Sequence, residues 1–290
     1  WMDDPAYAPV SYTFDPFARH PFYRTVNQSL VSAALAHLDT ATPKGQCVTV
    51  VDLAAGTGAV TALILDELER LDRPSEVIAV EPADTAIAIA REKLTSRNVR
   101  FIHGDAEQLA AWDGMLDAVF FCNAIHLLLN KSEAMAGVAG ALKPGGIFAC
   151  NSAFYHGSYV PSTAQFARLW MLTARRWLNE KHPEARPQGR DRETAIGQQW
   201  LSPANYAELF ASAGLSTLES HEEEVMVPVR AMQDICHYPL FIEGVLPGVS
   251  VEIAAEALAH GAAEAAKKLN TDQAPRMWLQ LIARRDAEKD

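Results

Sequence analysis

Between residues 46 and 152 short apolar runs alternate with longer amphipathic stretches, and this alternation limits the folds open to the chain. Cys47–Leu53, Glu76–Val80, Val99–His103, Leu116–Cys122 and Gly146–Ser152 have the length and apolar content of buried strands. Val60–Leu71, Ala83–Ser96 and Lys131–Leu142 carry apolar residues at helical spacing between them. Strand and helix alternating at this pitch predict an α/β fold, a doubly wound and mostly parallel sheet with right-handed crossovers. Ligands of such sheets bind beyond the carboxyl ends of the strands.

The flanks differ. Residues 22–38 have helical spacing and are closed by Pro43–Gly45. Residues 155–200 hold Trp170, Trp177 and Trp200, with a break at His182–Arg192. Ser202–Ala213 predicts a helix with Ser202 as N-cap and Pro203 in its first turn. Leu215–Val229 and Pro275–Arg284 read as an antiparallel terminal strand pair, separated by the helical segment Val251–Leu269. The expected organisation is a core of residues 46–154, 201–229 and 274–290. A helical cap would come from residues 1–45, 155–200 and 230–273.

The bulk properties exclude several function classes. The 36 acidic residues against 25 Lys and Arg give a formal charge of −11, and no basic run exceeds two residues. A nucleic-acid partner needs a basic field, so none is expected. No run approaches the roughly 18 apolar residues that cross a bilayer. The acidic, aromatic N-terminus lacks the marks of a signal peptide. Trp1 ahead of Met2 is what a tag remnant or a segment cut from a longer chain would leave. Four scattered cysteines without zinc spacing (Cys47, Cys122, Cys150, Cys236) read as reduced thiols of a cytoplasmic protein. Nine dispersed histidines with no HxH or HxxxH pair predict no metal site.

The candidate ligand site begins at VVDLAAGTGAV, residues 50–60, where a strand runs through two glycines into a helix. Such a turn lets backbone approach a nucleotide-type ligand. A dinucleotide fingerprint wants a third glycine at position 61, where Thr61 stands, and this disfavours a nicotinamide oxidoreductase. Four further features fall at successive strand ends: Glu81, placed to accept the hydroxyls of a ribose; Asp105, placed to accept from an exocyclic amine; Asn123; and the turn Leu142–Gly146.

Together these motifs resemble the class I S-adenosylmethionine-dependent methyltransferases, closely over residues 46–152 and more loosely over the terminal helix and strand pair. The resemblance implies a seven-stranded Rossmann-like sheet with S-adenosylmethionine as cofactor and S-adenosylhomocysteine as product. It further implies that Asp52, Ala54, Gly56 and Gly58 hold the methionine part, Ala54 standing where the first glycine of the turn is usual. An alanine there works only with a negative φ. By the same resemblance Glu81 holds the ribose and Pro82 packs on the adenine. Asp105 meets the adenine amine and the Ala106 N–H a ring nitrogen, while Asn123 and Ala124 line the path beside the sulfonium.

Asn123-Ala124-Ile125-His126 lacks the Pro-Pro-aromatic run of the DNA- and protein-amine-methylating members, so the chain looks more like the small-molecule branch of UbiE-like and natural-product enzymes. The expected partner is a small, hydrophobic acceptor, with the enzyme acting as a monomer or homodimer. Transfer to oxygen is expected ahead of transfer to carbon. The alternative is a binding protein of this fold with a non-methylating activity. His126, three residues beyond Asn123, is the first candidate general base, since imidazole titrates near neutrality. His20, Tyr23 and Asn27 form a second group, Tyr23 as an aromatic that folds over the cofactor. Tyr155-His156 and His221-Glu222 also lie near strand ends. The latter two point to opposite faces of a strand and cannot form one dyad, and Glu222–Glu224 reads as a solvated charge cluster.

Overall fold

The computed structural model describes residues 13–188 and 200–287, apart from the side chains of residues 107, 108 and 110. The first twelve residues of the expected N-terminal cap segment, and residues 189–192 of the expected break, lie outside the described residues. The chain divides into two compact units.

The larger unit comprises residues 21–160, 196–225 and 276–290. It contains helices α2 (Pro21–Ala41), α3 (Ala59–Arg70), α4 (Asp84–Lys93), α5 (Lys131–Ala141) and α7 (Pro203–Ser212). Its sheet is built on β1 (Val48–Leu53), β2 (Ser75–Glu81), β3 (Val99–His103), β4 (Leu116–Cys122) and β5 (Leu142–Ser152), with β6 (Leu215–Pro228) and β7 (Gln273–Arg285) completing it. The order is β3-β2-β1-β4-β5-β7-β6. β1 to β5 pair in parallel and β7 runs antiparallel to β5. The doubly wound, mostly parallel seven-stranded fold is therefore as expected. The point at which strand order reverses lies between β1 and β4, where such sheets bind their ligands.

Alternation along the central strands fills two cores. Val51, Val119, Phe121, Phe148 and Cys150 pack on one face with Phe210 and Met135. Val50, Ala118, Phe120, Ile147 and Ala149 pack on the other with Leu30, Ala34, Ile64 and Leu68. Strands buried on both faces read as continuous apolar runs, which is why they were legible in the sequence. α2 buries Tyr23, Val26, Asn27, Leu30, Val31, Ala34, Leu35 and Leu38, a stripe at helical spacing that includes one amide.

One boundary moves. β5 begins at Leu142 rather than Gly146, with a register shift against β4 between Leu116 and Ala118. Gly145 takes a left-handed φ of 81° there, so the expected turn is an irregularity within a continuing strand.

The smaller unit comprises residues 1–20, 161–195 and 226–275, and contains α1 (Asp15–Ala18), α6 (Pro161–Lys181), α8 (Val229–Ile235), α9 (Pro239–Val245) and α10 (Val251–Leu269). α6 and α10 approach closely at Gly261, where a side chain would meet the Trp170 carbonyl and Ala174 at 2.7 Å. The Trp170 indole N–H donates to the Leu258 carbonyl at 2.7 Å, and Thr173 Oγ1 to the Gly261 carbonyl at 3.0 Å.

Candidate active site

The glycine turn joins β1 to α3. The Ala55 N–H donates to the Val80 carbonyl and the Gly58 N–H to the Ala55 carbonyl, both at 3.0 Å. Ala54, Gly56 and Gly58 all adopt positive φ, at 55°, 55° and 80°. The requirement that Ala54 have negative φ is thus overturned. The turn keeps the left-handed geometry of a glycine at that position, at a cost of about 1–2 kcal/mol for the Cβ. Gly56 and Gly58 differ in surroundings. A Cβ on Gly56 meets nothing within 4 Å, whereas one on Gly58 meets Leu94 at 3.1 Å and Ala90 at 3.2 Å. Space for a ligand therefore opens at Gly56, and Gly58 serves packing against α4.

Asp52, the penultimate residue of β1, has 1% of its surface exposed. Thr61 Oγ1 donates to Asp52 Oδ2 at 2.6 Å, a partnership that reading Thr61 only as a missing glycine did not find. Burial raises the Asp52 pKa to about 7, the Glu81 charge adding to the rise and the Thr61 hydrogen bond opposing it.

Glu81 ends β2 and grips the turn from across the strand boundary. Its Oε2 accepts the Gly56 N–H at 2.8 Å and its Oε1 accepts the Ala83 N–H at 3.0 Å. β2 and β3 end level, with Glu81 paired to His103. His103 Nε2 lies 2.8 Å from the Pro82 carbonyl, while the Pro82 ring is exposed. Asp105 is exposed and precedes a 3-10 segment, Ala106–Trp112. Glu81, Pro82, Asp105 and Ala106 thus share the sheet edge beside Gly56.

At the end of β4, Asn123 takes a left-handed φ of 57°. Its Nδ2 donates to the Tyr23 hydroxyl and to Asn27 Oδ1, both at 3.1 Å. Asn151 Nδ2 donates to the same Asn27 oxygen at 2.9 Å, and Asn27 Nδ2 donates to the Tyr23 carbonyl at 2.7 Å. Asn151 also accepts the Asn123 N–H on both its carbonyl and its Oδ1, each at 3.0 Å. Asn27 and Asn151 are buried at 0% and 1% exposure, and this amide triad ties α2 to the ends of β4 and β5. Asn151 escaped the sequence reading, although one amide inside the apolar run of β5 was its signal.

His126 follows in a short 3-10 turn, 6% exposed, its Nδ1 3.0 Å from Ser152 Oγ and its ring 4.5 Å from that of Phe154. Burial lowers its pKa to about 3, helped by the charges of Lys131 and Arg276. It is a neutral and weak base at pH 7. Tyr155 is fully buried and donates its hydroxyl to Glu222 Oε1 at 2.6 Å, while His156 and His221 are exposed. Gln280 Nε2 donates to Glu223 Oε2 at 3.0 Å. Two of the three acids read as a solvated cluster therefore hold neighbouring side chains. His20 belongs to the smaller unit, its Nε2 2.7 Å from Asp234 Oδ2. The structure thus brings Tyr23, Asn27 and Asn123 together but pairs His20 within the other unit. Among the described residues no group of three His, Cys, Asp or Glu stands close enough to hold a metal ion, and no helix is long and apolar enough to cross a membrane.

Residues 50–146 match the model of a family described as methyltransferase domain. Over 101 residues the chain is 32% identical to the ubiquinone/menaquinone biosynthesis C-methyltransferase UbiE of Idiomarina loihiensis, covering 33% of this chain and 39% of the relative. The corresponding protein of Pasteurella multocida is 35% identical over 102 residues, covering 33% and 37%. The chain thus spans about two fifths of the length of the curated relatives it matches. Among solved structures, a putative methyltransferase from Bacillus halodurans C-125 superposes with TM-score 0.54 at 15% identity, covering 88% of this chain and all of that one. A putative sarcosine dimethylglycine methyltransferase from Galdieria sulphuraria gives 0.53 at 14%, covering 90% and 86%. The [4+2]-cyclase SpnF gives 0.53 at 18%, covering 97% and 89%. At these identities the likeness is one of fold.

Proposed function

We propose that this chain, a class I S-adenosylmethionine-dependent methyltransferase through residues 50–146, transfers a methyl group to a small organic acceptor. The observation that carries the reading is Glu81, a buried carboxylate at the end of β2 whose oxygens accept the Gly56 and Ala83 N–H groups. It stands beside the open space at Gly56, and a carboxylate oxygen accepts more than one hydrogen bond. The residues present fit an adenosyl donor. Gly56 leaves room for its methionine part, Glu81 keeps acceptor capacity for ribose hydroxyls, and Pro82 presents an exposed ring for adenine. When bound, that donor supplies a methyl carbon activated by positive sulfur.

The chain's own residues bind and orient. Asp52, Ala54 and Gly56 hold the donor's methionine end, with Gly58 packing the turn against α4 behind them; Asp105 and the Ala106 N–H meet the adenine, and Asn123 stands beside the reacting end. The amide triad fixes the rotamer of Asn123 and the height of the Tyr23 hydroxyl, and alignment is most of what a displacement at carbon requires. His126, neutral at pH 7, orients the loop after β4 through Ser152 and is too weak a base to remove an acceptor proton at useful rates. We therefore read it as a positioning residue.

Carbon is the acceptor atom we propose. The UbiE relatives aligned through the donor-binding segment are named as C-methyltransferases, whereas the expected transfer to oxygen finds no support among the comparisons. The test is incubation with methyl-labelled S-adenosylmethionine and a panel of hydroquinones and β-dicarbonyl compounds. Label on carbon with release of S-adenosylhomocysteine supports the reading. Label on oxygen overturns the choice of atom. Donor binding without turnover on any acceptor points to a non-methylating protein of this fold.

A further inference from the structure

Arg276 lies on β7 three residues before Leu279, which pairs with Ser152, the last residue of β5. It therefore stands past the carboxyl end of β5, on the side where ligands of such sheets bind. Its Nε donates to the Ala153 carbonyl at 2.9 Å, and its Nη2 donates to the same oxygen. The guanidinium carbon sits 4.1 Å from the Tyr159 ring centre and 4.9 Å from that of Phe154. Trp200 closes the group, stacked on Tyr159 at 6.1 Å and 18° and edge-on to Phe154 at 5.7 Å. The His126 ring centre lies 4.5 Å from that of Phe154.

This cation is half-buried and no carboxylate among the described residues pairs with it. Its Nη1 has no hydrogen-bond partner among the described residues. A partly desolvated guanidinium is ordinarily matched by a carboxylate, because its planar fork is shaped for one. One carbonyl and two ring faces orient the group without neutralising it. Tyr159, 42% exposed, and the half-buried Trp200 stacked on it leave aromatic surface open beside that charge. A planar, anion-bearing ring satisfies both features: its π-face covers the aromatic surface and its anionic oxygens meet Nη1.

We propose that Arg276, Phe154, Tyr159 and Trp200 form the acceptor's recognition subsite and that the acceptor is a planar, unsaturated carboxylate or comparably acidic oxygen acid. The subsite is about one side chain removed from His126 and Ser152, and so from the end of β5 where Asn151 binds Asn123. This inference rests on the methyltransferase reading for its functional meaning, while the anion preference stands apart from it.

The test uses 4-fluorobenzoate and the neutral 4-fluorobenzamide as probes, read by ligand ¹⁹F NMR on the protein with and without saturating S-adenosylhomocysteine. Wild type should bind the carboxylate about tenfold more tightly than the amide, the discrimination expected of a charge-assisted hydrogen bond. R276Q should abolish that preference, with S-adenosylhomocysteine affinity held within about twofold. Should R276Q not fold, as read by near-UV circular dichroism, R276K keeps the charge but loses the fork and should retain only a reduced preference. Equal binding of the two probes by wild type overturns the proposal, as does an undiminished preference in the Arg276 variants. Failure of S-adenosylhomocysteine to bind would instead count against the donor reading, and the probe preference would still be measured on the free protein.

Discussion

Replacing Glu81 with Gln tests the donor site at its most constrained point. The carboxylate is 9% exposed and accepts two backbone N–H groups, at 2.8 Å from Gly56 and 3.0 Å from Ala83. A glutamine has one oxygen, so its amide nitrogen must face one of those donors. At least one charge-assisted hydrogen bond is lost, worth about 1.5–3 kcal/mol. The same exchange removes an acceptor from the ribose hydroxyls, which should weaken donor binding by about 1–3 kcal/mol, or roughly 5- to 150-fold. Glu81→Ala, which loses both backbone bonds, should lose more stability than Glu81→Gln. Thermal unfolding reads the first effect, and calorimetric titration with S-adenosylhomocysteine reads the second. Lower stability with unchanged affinity would refute the ribose assignment and leave Glu81 a brace for the turn. Unchanged stability would refute the hydrogen bonding itself.

Gly56→Val should abolish S-adenosylhomocysteine binding and lower the melting temperature only by the strain of a β-branched residue at φ 55°, since its Cβ meets nothing within 4 Å; Gly58→Val, at φ 80°, should lower it further by also pressing on Leu94 and Ala90. Wild-type affinity in Gly56→Val would place the donor elsewhere. Asp52 and His126 should oppose one another in the pH dependence of stability. The raised pKa of Asp52, about 7, means stability falls as pH climbs from near 4 to 7, whereas the lowered pKa of His126, about 3, means stability falls as pH drops from 6.5 toward 3. Asp52→Asn should therefore steepen the loss of stability in acid and His126→Phe should relieve it; parallel profiles for both variants and wild type would contradict the assigned burial. In turnover, His126→Gln should leave the pH profile of kcat without a shifted inflection, and loss of an inflection near neutrality would restore it as a base.

Much of the fold was legible because strands buried on both faces leave uninterrupted apolar runs, as in Leu116–Cys122, and because Ser202 caps α7 by accepting the Asn205 N–H at 3.2 Å. Glu81 was legible because the distance from a glycine turn to the end of the next strand is set by one helix and one strand. What stayed hidden depends on contacts between distant segments. Ala54 gives no sign in sequence of its left-handed φ, since the turn around it imposes that conformation. Asn27 and Asn151 are 124 residues apart, and each alone is only one amide in an apolar setting. His126 has the residue type of a base, but burial decides its protonation, and burial follows from Phe154 and Ser152 in another strand's extension. Arg276 likewise looks ordinary within its strand until the fold brings Phe154, Tyr159 and Trp200 around it.

The donor reading holds that the carboxyl ends of β1, β2 and β4, at Gly56, Glu81 and Asn123, take an adenosyl sulfonium donor. Calorimetric titration of the wild-type chain with S-adenosylmethionine, with NAD run in parallel, tests it most directly. One S-adenosylmethionine should bind saturably per chain, with binding lost in Gly56→Val, and NAD should not bind. Saturable binding of NAD with none of S-adenosylmethionine would contradict it.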